Sequence, residues 1–229
     1  MNQVTKAIDL YKRQLGKIIV ISLVLIAPME MLNLFLSNYI AKLYGFLNLD
    51  LFYGWFVGFF NLIFFMLFQI PYICMAYKDR LKEDYSIGDI LAFTLEKALP
   101  IYIVSIFSAL LVTLGLVFFV VPGILILIYV TPFPYVAVIE NEFWWKGFKS
   151  AIRFAQAHLF GWAGVVLAFQ WMEWLIGFGL LLMSNFYIHH FGFAALSQIV
   201  LNMLFIPFFT FVVTNYYMEK ADVILEQEV

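Results

Sequence analysis

Glu30 and Glu173 stand alone in long apolar stretches, and they are the side chains of this chain best placed to do chemistry. A carboxylate at the bilayer centre costs roughly 2.5–3.5 kcal/mol on insertion scales, so such groups face a bundle interior or a wet cavity. At ~1.5 Å per residue, both fall about 20 Å from the basic end of their stretches. At equal depth the two could form a proton or cation site; otherwise each snorkels or protonates by itself. Asn33, one turn beyond Glu30, completes this candidate intramembrane polar site. Asn61, Gln69, Gln198 and Asn202 also fall at membrane depth, where amides bond helix to helix without a ligand.

A second candidate is a cationic face. Lys146, Lys149 and Arg153 recur at helical spacing and could grip anionic lipid headgroups, at about 1 kcal/mol per residue. They serve equally well as a plain topology signal. His189-His190 has no further ligands nearby, so a solvated outer loop explains it better than a metal site. Cys74, the single cysteine, excludes an intrachain disulfide and a cysteine cluster. Gly54, Gly58, Gly161, Gly164, Gly177 and Gly179 suit close helix packing rather than a phosphate cradle. His-Glu-x-x-His, Gly-x-Ser-x-Gly, Walker and Cys-x-x-Cys patterns are all missing. The expectation is a protein that is not an enzyme, with no cofactor and no bound metal.

The elements that must position these residues are membrane spans. Of 229 residues, 65% are hydrophobic and only 12% charged, too few to clothe a water-soluble globule. The mean hydropathy is +0.95. A basic face for nucleic acid is absent. A spanning helix needs about 20 apolar residues. The stretches predict spans at about 18–40, 51–77, 99–121, 123–139, 159–183 and 193–217, in a single membrane domain. Pro28 and Glu30 interrupt the first, and Lys42 with residues 48–50 forms a short outer loop. Pro122-Gly123 is expected to break the apolar run 98–139, and residues 184–192 the last one. Residues 218–229 form a charged cytoplasmic tail. The first apolar run follows a long charged segment and exceeds a signal peptide's usual core. Twelve of thirteen Lys and Arg fall in alternate gaps, which predicts both termini in the cytoplasm.

A short amphipathic segment precedes spans one, three and five. In the first (1–17), Ile8, Tyr11, Leu15 and Ile18 form the apolar stripe, with Lys6, Asp9 and Arg13 turned away. In the second, Ile87, Ile90, Leu91, Thr94 and Leu95 do so, and Ser86-x-x-Asp89 reads as a capping box. In the third, Lys146, Lys149, Arg153 and Gln156 oppose Trp144, Phe148, Ala151, Ile152 and Ala155. Such helices lie in the interface, basic side toward the headgroups. Asp9-Leu10, Leu15 and Lys17 align with Asp89-Ile90, Leu95 and Lys97; Ala7-Ile8 and Leu15 align with Ala151-Ile152 and Leu159. The even spans share Pro71, Pro134 and Pro207. These matches predict a threefold helix-hairpin repeat, in which Glu30 maps one residue from Glu173.

Val121-Pro122-Gly123, Pro134 with Ala137-Val138-Ile139-Glu140, Lys149-Ser150-Ala151, and Pro207 with Tyr216-Tyr217 carry a resemblance. Over about residues 101–220 the chain resembles poorly characterised bacterial six-span proteins related to the membrane domain of glycerophosphodiester phosphodiesterases. The soluble catalytic barrel of those enzymes is missing, so their activity does not carry over. The resemblance implies a bacterial inner-membrane protein without assigned catalytic residues. The expected fold is an all-α polytopic membrane protein with six transmembrane helices and three short cytoplasmic-side interfacial helices. The expected role is a non-enzymatic accessory or scaffold protein. Its partners would be membrane lipids or other membrane proteins such as transporter or secretion components, not nucleic acid. The alternative is a small carrier or efflux protein, of immunity type, using Glu30 and Glu173.

Overall fold

A computed structural model describes residues 3–47, 50–184 and 191–221. His189, His190, loop positions 48–49 and tail positions 222–229 lie outside the described residues. Regular structure among the described residues is all helical. Six helices are long and apolar enough to cross a membrane: Leu15–Phe46, Tyr53–Arg80, Ile87–Phe118, Val120–Glu140, Leu159–Met183 and Gly192–Lys220. The chain is an all-α, multi-pass membrane protein. It forms two compact units, Met1–Met31 with Phe160–Val229, and Leu32–Leu159. That division cuts across the three-hairpin repeat, because the start of span one shares a unit with spans five and six.

The first unit opens with helix α1, Gln3–Arg13, which packs on α10, Phe191–Lys220. The buried stripe of α1 is Ala7 and Leu10. Ile8 and Leu15, assigned to that stripe from spacing, are exposed. Helix α2, Leu15–Ile21, follows after Gln14, and its buried Ile18 and Ile21 continue the helical phase of Ala7 and Leu10. The buried stripe thus runs beside the one counted from Ile8, not along it. A π-helical turn, Ser22–Ile26, follows, in which the Ala27 N–H reaches back five residues to the Ser22 carbonyl. Pro28 has no N–H, and its ring would strike the carbonyl four residues back. The widened turn just before it absorbs that conflict, so helix α3, Ala27–Phe46, continues unbroken. Lys42, assigned to a loop, stands on α3 because the helix runs beyond the hydrocarbon rather than stopping at its edge.

Helix α9, Leu159–Met183, completes this unit and pairs with α10. Trp162 is fully buried beside Tyr216 and Tyr217. Phe169 sits among Phe205, Phe208 and Phe209. Gly161 lies under the Tyr216 hydroxyl, where a β-carbon could not fit.

The second unit holds α4, Asp50–Arg80, and α5, Ile87–Phe118, packed side by side. Ser86 and Asp89 cap each other reciprocally at the start of α5, as the sequence predicts. The amphipathic segment at 87–95 is not a separate helix, however. It forms the first turns of α5, and Glu96-Lys97 does not break the helix because Lys97 is paired and covered.

The break after α5 falls at Phe119, not at Pro122-Gly123. Pro122 sits in the first turn of α6, Val120–Val130, where a missing N–H costs nothing. Gly123 has an ordinary helical backbone and makes room instead of a turn. A β-carbon there would lie 2.5 Å from the Leu116 backbone nitrogen, and one on Gly115 would lie 2.9 Å from the Gly123 α-carbon. Met66, Val112 and Val130 form a core at this level, flanked by Leu62, Leu116 and Leu127.

Span four is itself interrupted. Thr131-Pro132 forms a turn before the short α7, Phe133–Tyr135, and a π turn, Val136–Glu140. Pro132 and Pro134 remove two donors within three residues, and the Thr131 hydroxyl donates to the freed Ile128 carbonyl at 3.1 Å. Asn141 closes this run in a left-handed conformation, φ 55°. Helix α8, Trp144–Ala157, follows as a separate amphipathic helix.

Candidate functional site

Sequence spacing alone could not place Glu30 and Glu173 relative to each other; the helix register of the first unit puts them near one level. Helices α9 and α10 run antiparallel, with Trp162 against Tyr216, Phe169 against Phe205 and Gly177 against Gln198. Glu173, one turn before Gly177, is therefore level with Asn202, one turn after Gln198. Asn202 in turn donates to Glu30 Oε1 at 2.8 Å from α10 to α3. Gln198 donates to Asn202 Oδ1 at 3.2 Å, and Gln170 donates to Glu173 Oε2 at 3.2 Å. Glu30 and Asn202 thus form a hydrogen-bonded pair between α3 and α10, and Glu173 stands on α9 near the same level.

Gly177 is part of the fit. A β-carbon there would lie 3.0 Å from Gln198 Oε1, so the glycine gives the Gln198 amide its place between α9 and α10. Of the glycines expected to permit close packing, Gly161 and Gly177 do so; Gly54, Gly58, Gly164 and Gly179 meet nothing within 4 Å. Asn33 does not complete the acidic site. It donates to Asn61 Oδ1 at 2.7 Å within the second unit, a bond between spans of the kind that amides make in bilayers. Gln69 is used similarly, accepting from the Tyr135 hydroxyl at 2.6 Å.

A second polar assembly surrounds the start of α8. Lys146 Nζ pairs with Glu142 Oε1 at 2.9 Å, Ser150 donates to Glu142 Oε2 at 2.6 Å, and Arg153 donates to Ser150 at 3.1 Å. Lys146 and Ser150 together hold the Glu142 carboxyl below the usual carboxylate range. Gly147 lets the Glu142 carbonyl lie directly against the helix backbone. The outward face carries Lys146, Lys149, Arg153 and Gln156, all exposed. Gly147, Ala151, Phe154 and Ala155 are buried. Trp144 and Trp145 are exposed, at 54% and 66%, which leaves both rings available to an interfacial aromatic belt.

Lys97 was legible only as a topology charge, yet it is 8% exposed. Its ammonium donates to Asn141 Oδ1 at 2.8 Å, pairs with Glu96 at 2.7 Å, and sits over the rings of Phe93 and Phe143. The Phe93-to-Lys97 spacing of one helical turn was the available signal; Asn141 and Phe143 were distant in sequence. No family model, curated protein or solved structure matches this chain.

Proposed function

We propose that this is a non-enzymatic accessory or scaffold protein of a bacterial cytoplasmic membrane, with both termini in the cytoplasm, that engages anionic lipid through α8. The observation that carries the reading is the division of α8. Its small residues are buried, its basic residues point outward, and Trp144 and Trp145 stand exposed beside them. That combination suits a helix lying at the headgroup boundary. The resemblance of residues 101–220 to bacterial six-span proteins supports the setting, and the same surface could seat another membrane protein.

The magnitude follows from charge. Three cations at about 1 kcal/mol each would give ~3 kcal/mol, but Glu142 already neutralises much of Lys146. The remaining ~2 kcal/mol corresponds to roughly thirtyfold in affinity. Replacing Lys146, Lys149 and Arg153 together by Gln should lower retention of anionic lipid by about that factor in native mass spectrometry. Zwitterionic lipid should be retained as before. Unchanged anionic lipid would remove the lipid role.

A second reading, a small carrier, is favoured by one observation. Glu30 is bonded to Asn202, and Glu173 stands near the same level of the first unit, as an ion-coupled site at membrane depth would require. It predicts that Glu30→Gln and Glu173→Gln each abolish a proton- or cation-coupled flux in proteoliposomes.

A further inference from the structure

We infer that Glu142 is a tethered counter-anion that masks the basic face of α8 and is displaced from it by the phosphate of an anionic phospholipid. The inference rests on the lipid reading of α8 and adds to it what sets the affinity of that surface.

The chain around Glu142 places its carboxylate on that face. Asn141 has a left-handed backbone, φ 55°, and its Oδ1 accepts from the buried Lys97 ammonium at 2.8 Å. Trp144 is left-handed too, φ 54°, a conformation that is strained for so bulky a residue. Gly147 leaves the space in which the Glu142 carbonyl meets the first turn of α8. Between these fixed points the Glu142 side chain folds back over the helix. Its Oε1 lies 2.9 Å from Lys146 Nζ, and its Oε2 accepts from the Ser150 hydroxyl at 2.6 Å. Arg153 donates to the same hydroxyl at 3.1 Å, so Ser150 joins the guanidinium to the carboxylate.

What the carboxylate holds is what a phosphodiester would take. Lys146, Ser150 and Arg153 follow at spacings of four and three, which sets them on one side of the helix, and each presents N–H or O–H donors. A phosphodiester, like a carboxylate, offers charged acceptor oxygens, and such donors bond either. The contest is close. The Glu142 side chain is 20% exposed and that of Lys146 76%, so water screens their pair and holds its strength down. Lys149 stands apart from this network, its ammonium 5.6 Å from the centre of the Trp145 ring, and gives a headgroup its first contact. The exposed Trp144 and Trp145 keep the same surface at the headgroup boundary. The exchange is one of partners only: carboxylate oxygens leave Lys146 and Ser150, phosphate oxygens replace them, and no covalent bond changes.

The test titrates the full-length protein with phosphatidylglycerol against a phosphatidylcholine background, read by native mass spectrometry. Glu142→Gln removes the mask and frees one further cation, so phosphatidylglycerol affinity should rise about fivefold, ~1 kcal/mol. Asp84→Asn removes an equal charge from an exposed position between α4 and α5 and should leave the affinity unchanged. Glu142→Asp keeps the charge but shortens its reach; it should raise the affinity part of the way, and it carries the test if the Gln variant fails to fold. Hydrogen exchange adds a readout that a purely structural Glu142 would not move. At the start of α8, Glu142→Gln should lose protection in phosphatidylcholine and regain it with phosphatidylglycerol, because phosphate takes the carboxylate's place. Unchanged or weaker binding in both Glu142 variants overturns the inference, as does an equal rise in Asp84→Asn or protection that phosphatidylglycerol does not restore. Replacing Lys146, Lys149 and Arg153 together by Gln separates the two levels. If that variant loses the lipid while the Glu142 variants gain none, the mask falls and the lipid reading stands; if it loses nothing, both fall.

Discussion

At the scale of single residues, the membrane makes each polar contact informative, because there is no water to replace a lost partner. Gln69 and Tyr135 are both buried and bonded to each other at 2.6 Å, and the Gln69 amide nitrogen donates to the Phe65 carbonyl at 3.0 Å. Tyr135→Phe strips the hydroxyl donor from Gln69 Oε1. Side-chain bonds in bilayers average about 0.6 kcal/mol and reach about 1.7, and a fully buried acceptor falls toward the upper end. A loss of about 1–1.5 kcal/mol in SDS-induced unfolding is expected. Adding Gln69→Leu should recover part of it, since removing both partners leaves nothing unsatisfied. A different residue sets a pH dependence. Glu142 titrates below its ordinary value of 4.5 because Lys146 and Ser150 favour its charged form. Its stabilising effect is present above the unfolded-state value and is lost as pH falls through the lowered folded-state value. Hydrogen-exchange protection at the start of α8, corrected for the intrinsic pH dependence of exchange, should therefore fall as pH drops through that lowered value, and Glu142→Gln should show the reduced protection already at pH 7. An identical profile in wild type and variant would rule out Glu142 as the group responsible.

At the scale of elements, the glycines separate structural need from sequence habit. Gly123 faces Leu116 so closely that a methyl group would meet backbone as well as side chain. Overpacking of this kind costs about 1–3 kcal/mol, so Gly123→Ala should lower Tm measurably. Gly54, Gly58 and Gly164 face open space, and Ala there should be neutral or gain up to ~1 kcal/mol from helix propensity. Equal effects in the two groups would contradict the tight α5–α6 approach. The same hairpin shows what the sequence could and could not reveal. Its existence was legible, because 42 uncharged residues are too many for one span. The position of its turn was not, because proline ends one helix and begins another equally well, and only the backbone distinguishes these. The capping box at Ser86 was legible because its geometry is local. The stripe of α1 was misread by one position, because Ala7 and Leu10 are covered by α10 while the larger Ile8 beside them is exposed. Glu30 and Glu173 were visible as isolated charges. The bond from Asn202 to Glu30 was not, because it joins positions 172 residues apart in sequence.

At the scale of the whole molecule, the charge distribution orients the spans, and the structure refines where that orientation can be tested. Lys78, Arg80 and Lys82 cluster at the end of α4, and Lys97, Lys146, Lys149 and Arg153 belong to segments that flank spans at the same proposed side. Cytoplasmic loops retain Lys and Arg, and on the proposed topology that side is the cytoplasm. Lys42 is the exception in sequence, and its helix explains it. At ~1.5 Å per residue, Lys42 lies about 40 Å along the helix from Leu15, beyond a hydrocarbon core of about 30 Å, and its side chain is exposed. It is thus a better outer reporter than any residue deeper in the span. Asp84, exposed in the connection between α4 and α5, is the matching inner reporter. Cys74 is buried and free, so Cys74→Ser supplies a silent background. On that background, Lys42→Cys should react with a membrane-impermeant maleimide added to intact cells, and Asp84→Cys should react only after the cells are opened. The reverse pattern would invert the protein and place α8, with its basic face, outside the cell. A scaffold reading built on anionic cytoplasmic lipid would fall with it, whereas the Asn202–Glu30 bond would be untouched, because a contact between two helices is the same whichever side faces the cytoplasm.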